Sequence, residues 1–157
     1  MNTAKKARRR VLWLAVLASG ATSVALAEVR AVDGWVSATA PGTSEAAVYL
    51  VLTNTGDEER SLMKIVSPVT DEVILHRTSI TAAGTPRMWP LAGLELDAGE
   101  TLRMEPAGVH VMLRALKQPL VAGGKVPLSL KFDGGQPEFT VMLDIRPAAP
   151  STVTRAP

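Results

Sequence analysis

Turn-forming residues divide this chain into pieces too short for ordinary helices. Pro41-Gly42, Asn54-Thr55-Gly56-Asp57, Ser67-Pro68, Ala83-Gly84, Gly93, Gly99, Pro106, Gly108, Gly123-Gly124 and Asp133-Gly134-Gly135 follow one another at short intervals. Between them no ten-residue window places apolar residues at helical spacing, and short strands separated by such signals specify an all-β sandwich or barrel. Two segments alternate cleanly. Val126, Leu128, Leu130 and Phe132 share one face of the first, and Phe139, Val141, Leu143 and Ile145 share one face of the second. The Asp-Gly-Gly segment between them reads as a hairpin connection. Further strands are expected near 29–36, 46–53, 61–66, 72–77, 102–105 and 109–114. The almost wholly apolar run from Ala46 to Leu52 belongs at the centre of a sheet.

The N-terminus has a different character. Lys5, Lys6, Arg8, Arg9 and Arg10 precede an apolar run from Val11 to Ala18, and small residues lead to Ala25-Leu26-Ala27. A basic region, a short apolar core and an A-x-A site describe a secretory signal peptide, with cleavage expected after Ala27 and a periplasmic destination. The apolar run, broken by Ser19, Gly20, Thr22 and Ser23, is too short to span a membrane, so no embedding is expected after cleavage. No cysteine follows it, so lipid attachment is not expected either. The predicted organisation is a signal peptide (1–27), one β-sandwich domain (28–146) and a disordered Pro/Ala-rich tail (147–157). Removing the leader's five cations from the chain's 17 Lys and Arg leaves 12 against 15 Asp and Glu, a formal charge of −3. With those cations scattered, nothing suggests a nucleic-acid partner. The chain contains no cysteine, which excludes thiolate catalysis, thioredoxin-like chemistry and blue-copper electron transfer.

The segment richest in chemistry is Val109-His110-Val111-Met112-Leu113-Arg114. Side chains alternate along a strand, so Val109, Val111 and Leu113 point into the core together. His110 and Met112 share the other face, with Cα atoms about 6–7 Å apart. That placement would leave a bound ion open to attack from outside. A methionine on the polar face of a strand calls for a reason, and copper(I) supplies one, because this soft ion favours thioether and imidazole donors. A thioether carries no titratable proton and cannot be lost to a disulfide. The other histidine, His76, ends a predicted strand after Val73-Ile74-Leu75, and Met88 lies in Thr85-Pro86-Arg87-Met88-Trp89-Pro90, a loop or short edge strand.

The spacing of His76, Met88, His110 and Met112 resembles that of the periplasmic copper(I) chaperones of the PCuAC type. Gly34-Trp35, Ala47-Val48-Tyr49-Leu50, Asn54-Thr55-Gly56, Pro106 to Leu113, Leu116 to Gly123 and Val126-Pro127-Leu128 also resemble that family's pattern. The resemblance covers most of residues 29–146. It implies a cupredoxin-like or Ig-like Greek-key β-sandwich holding one copper(I) per chain through His76, Met88, His110 and Met112. It also implies a protein acceptor: the copper A centre of cytochrome c oxidase subunit II, or another copper chaperone. Two departures stand out. Many relatives carry methionine directly after the first histidine, where this chain has Arg77, so a third thioether is missing. Some relatives end in a His- and Met-rich tail, whereas Ser151 to Pro157 holds neither residue.

Two other functions fit the same composition: copper storage or resistance, and a metal-free Ig-like periplasmic interaction module. No enzyme is expected, since the sequence has neither a nucleophile elbow nor an H-E-x-x-H helix. Haem ligation by His and Met would want more aromatic lining than this chain offers. Met104 and Met63 read as core fillers. Met142 is the next methionine to suspect near metal, with partial burial under a loop as the plainer reading. Trp89 reads either as a shield over the ion or as loop packing. Arg77, Arg87 and Arg114 read as solvated strand-edge charges rather than a ring meeting an acidic partner.

Overall fold

The computed structural model describes residues 28–147, so the predicted leader and nearly all of the predicted tail lie outside it. The described residues form ten strands and no helix: β1 (Val29–Ser37), β2 (Ala46–Asn54), β3 (Arg60–Val66), β4 (Glu72–Ile80), β5 (Pro86–Pro90), β6 (Glu95–Leu96), β7 (Thr101–Arg103), β8 (Val109–Arg114), β9 (Lys125–Phe132) and β10 (Phe139–Arg146). They pair in the order β5-β4-β8-β2-β1-β10-β9-β3-β6, with β7 also on β2. The sheet curls into an all-β sandwich. Every pairing is antiparallel except β1 with β10, which is parallel and joins the two halves.

The core follows the alternation in the sequence. Val36, Val48, Leu50 and Leu52 from one half are buried with Val126, Leu128, Leu130, Phe132 and Leu143 from the other. Val109, Val111 and Leu113 join them. Stabilisation comes from removing these aliphatic faces from water, at about 25 cal/mol per Å² of apolar surface. The 28–147 segment contains no cysteine and hence no disulfide to add to it. Met104 is buried as expected, with Leu102 partly buried beside it. Met63 is not a core filler: it is 65% exposed. The register of β3 on β9 jumps between Leu62↔Phe132 and Lys64↔Lys131, so Met63 is the extra residue of a β-bulge and turns outward.

A second bulge shapes the outer face. In β1 the register passes from Val32↔Val51 to Trp35↔Tyr49, with Asp33 held at φ 53°. The extra residue reverses the alternation and puts Trp35 beside Tyr49 instead of in the core. Gly34 permits it, because a Cβ there would lie 2.6 Å from Leu143 Cδ2 and 3.3 Å from Val141 Cγ1. Leu143 is fully buried and has little room to yield. Gly34→Ala is therefore expected to lower stability by about 1–3 kcal/mol, the usual cost of overpacking, read as a fall in Tm. An unchanged Tm would mean that the β1–β10 contact is looser than this geometry requires.

Candidate metal site

Strand pairing decides which side chains meet. On β4 and β8, His76 lies directly opposite His110, and Ile74 lies opposite Met112. On the other side of β4, His76 faces Pro90 and Thr78 faces Met88. Residues two apart on a strand share a face, so His76, His110, Met112 and Met88 all project from the outer face of three adjacent strands. His76 is thus flanked diagonally by Met112 on one side and Met88 on the other. Diagonal neighbours lie about 7–8 Å apart, within reach of a methionine side chain. The four predicted residues come together at the edge of one half of the sandwich.

The two imidazoles are in different states of pairing. Their ring centroids are 5.8 Å apart, edge to face. His110 Nδ1 lies 3.3 Å from the Gly108 carbonyl oxygen. A carbonyl only accepts, so Nδ1 carries the proton and Nε2 keeps the lone pair. That carbonyl is fixed by the turn before β8. Gly108 N–H donates to Glu105 O at 2.9 Å, and Thr78 N–H donates to Gly108 O at 2.9 Å. The turn is an excursion between β7 and β8, which pair with the two ends of the same strand β2. His76 Nδ1, by contrast, is buried with no hydrogen-bond partner among the described residues. A buried nitrogen left unpaired costs about 1–3 kcal/mol, a cost that a ligand bound to this nitrogen would offset.

His110 is only 3% exposed, which corrects the expectation of an open pair. Facing away from the core is not the same as facing water. Tyr49 covers one side, its ring centroid 6.1 Å from that of His110, and Trp35 stacks beside Tyr49 at 4.5 Å. His76 covers the other side. Burial is the main cause holding the His110 pKa below its ordinary 6.5; the hydrogen bond to Gly108 opposes it and the neighbouring His76 assists it. Met112 is half-buried, whereas Met88 is 56% exposed. Approach from solvent is therefore open on the Met88 side. The neighbouring turn carbonyl and the Tyr49 wall escaped sequence reasoning, although Tyr49 and Gly108 lie in segments that had drawn notice.

The remaining candidates separate cleanly. Met142 sits on β10, three strand positions from β8 and so about 14 Å away, outside the site. Trp89 pairs with Arg77 on the face opposite Met88, its indole N–H donating to Ser79 Oγ at 3.3 Å; it does not shield the imidazoles. Arg87 lies over that indole at 5.8 Å, and Arg114 pairs with Glu45 at 2.9 Å, so the three arginines form no ring. No group of three or more His, Cys, Asp or Glu able to hold a metal occurs among the described residues. Beside the two imidazoles the same face carries the thioethers of Met88 and Met112. No described helix is long and apolar enough to cross a membrane.

Residues 29–144 match the family described as "Putative lipoprotein LpqE-like". The Putative lipoprotein Lxx21020 of Leifsonia xyli subsp. xyli (strain CTCB07) is 33% identical over 108 residues, which cover 68% of this chain and 63% of that protein. The chain thus spans less than two thirds of that relative's length. Among solved structures, the copper-bound PCuAC domain from PmoF2 superposes with a TM-score of 0.65 at 21% identity, covering 76% of this chain and 93% of that domain. The solution structure of CuI-DR1885 from Deinococcus radiodurans gives a TM-score of 0.59 at 28% identity, covering 83% and 84%. The all-β sandwich expected from the sequence is the fold these domains share.

Proposed function

Given that the chain belongs to the LpqE-like family of putative lipoproteins, we propose that it binds one copper(I) ion through His76, Met88, His110 and Met112 and passes it on in the periplasm. The observation that carries this reading is the unpartnered, buried Nδ1 of His76 beside an imidazole whose only free lone pair is Nε2, with thioethers on both flanks. Hard cations want carboxylates and zinc favours thiolates or further histidines; a pair of imidazoles with thioethers suits a soft monovalent ion. The likeness to the copper(I)-bound protein of D. radiodurans supports the choice of metal. Export rests on the signal-peptide pattern of residues 1–27. The word lipoprotein in the family's description has no acylation site to attach to in these 157 residues, which hold no cysteine.

Delivery follows from donor chemistry. Four neutral donors hold copper(I) less tightly than a site containing anionic thiolates, so transfer to a reduced cysteine-bearing acceptor runs downhill. By resemblance the acceptor is the copper A centre of cytochrome c oxidase subunit II. The incoming ligand would enter beside Met88, the exposed member of the set. Copper(I)-loaded mature protein mixed with the reduced soluble domain of subunit II is expected to give up its copper, with NMR shifts at Met88, His110 and Met112. Copper that stays in place against excess reduced acceptor would turn the reading to storage or resistance.

A further inference from the structure

The hairpin formed by β4 and β5 is the outer edge of the sheet, and β5 is exposed along its whole length. Its free edge cannot accept a partner strand. Leu91 N–H donates to Leu75 O and Thr81 N–H to Thr85 O, both at 2.9 Å, so residues 85, 87, 89 and 91 turn their backbone groups toward β4. Residues 86, 88 and 90 turn theirs outward. Two of those are Pro86 and Pro90, which have no N–H, leaving Met88 with the only outward donor on the strand. Proline so placed blocks edge-to-edge pairing. Yet the hairpin exposes apolar side chains on both faces, Ile80 and Met88 at 60% and 56% on one and Trp89 at 50% on the other, at an edge that another protein could grip from both sides.

Charge indicates what would meet it. From Val73 to Leu94 the chain has no Asp or Glu, though the mature chain is acidic overall. Arg77 and Arg87 have no ion-pair partner among the described residues. Two imidazoles and two thioethers are neutral, so a bound copper(I) ion adds an uncompensated positive charge on one face of this edge hairpin, with Arg77 and Arg87 on the face opposite to the imidazoles. We propose that the β4–β5 hairpin is the docking surface for an acidic protein that carries the copper-accepting thiolates, held through side chains and not by strand addition. The proposal rests on the copper reading for its cargo, but docking itself does not require the metal.

Two dithiol peptides, identical except that four glutamates in one are glutamines in the other, separate the possibilities. The glutamate peptide is expected to take copper about tenfold faster at low salt, an advantage of the size electrostatic steering gives. It should vanish at 1 M salt, where the screening length is about 3 Å. The double variant Arg77→Glu, Arg87→Glu should lose the advantage at low salt while keeping its copper affinity and its circular dichroism spectrum. With copper-free protein, a thiol-free glutamate peptide should shift NMR signals confined to residues 77–90. Equal transfer rates, or shifts absent or centred elsewhere, overturn the proposal. Shifts on the hairpin of a protein that takes up no copper would sink the copper reading and leave the docking surface standing.

Discussion

Replacing His110 with alanine is expected to weaken copper(I) binding by at least about 100-fold, since loss of groups that merely orient a ligand already costs 10–100-fold. The imidazole is the most buried donor of the set: it faces His76 across the strand pair and shares its own strand with Met112. Its Nε2 is presented in one fixed tautomer by the Gly108 carbonyl, so no rotation or proton loss at Nδ1 is needed before coordination. The effect should have a pH signature. Burial holds the His110 pKa below 6.5, so protons compete with copper at this ring only below that value, and affinity should hold above pH 6.5 and fall at lower pH. The same shift affects the metal-free fold. The unfolded chain takes up this proton as pH falls through 6.5, while the folded one resists until its lower pKa. This contribution to stability is therefore full above 6.5 and lost across the interval below it. In His110→Ala that part of the pH dependence should disappear. Competition with a copper(I) chelator measures the first effect and thermal melts across pH the second. Wild-type affinity in the variant would remove His110 from the site.

Phe132→Ala should be the most damaging substitution away from the site, at about 3–5 kcal/mol. Phe132 is fully buried at the end of β9, and its ring stacks on Phe139 at 6.3 Å between centroids, 8° from parallel. Aromatic residues make up only 4% of the chain, so neighbouring aliphatic side chains would have to fill a cavity they are too short to close. Domains of this size are commonly stable by only about 5–15 kcal/mol, so the loss would consume much of the total. Urea unfolding with an unchanged m-value would report it directly. A loss under about 1 kcal/mol would mean that the two halves of the sheet do not close on this ring.

What the sequence revealed and what it hid divide along one physical line. Period-two alternation is local, so the strands around Val126–Phe132, Phe139–Ile145 and Val109–Leu113 were legible, and with them the shared face of His110 and Met112. Cross-strand register is not local. Nothing in the sequence says that His76 faces His110, that Met88 lies one diagonal step further, or that β1 runs parallel to β10. Bulges defeat alternation by a single residue, which is why Met63 reads as core yet faces water and why Trp35 comes to rest against Tyr49. The burial of His110 escaped for a related reason. Alternation tells which face a side chain takes, whereas its cover comes from Tyr49 and His76 on neighbouring strands.

The most direct test of the copper reading is X-ray absorption spectroscopy of the mature protein titrated with copper(I). Uptake should stop at one ion per chain, with a first shell of two nitrogens and two sulfurs at low coordination number. Met88→Leu and Met112→Leu should each remove one sulfur while leaving the nitrogens in place. A shell of nitrogen and oxygen alone, sulfur scattering untouched by either substitution, or no uptake at all would contradict the assignment of these four residues as the copper ligands.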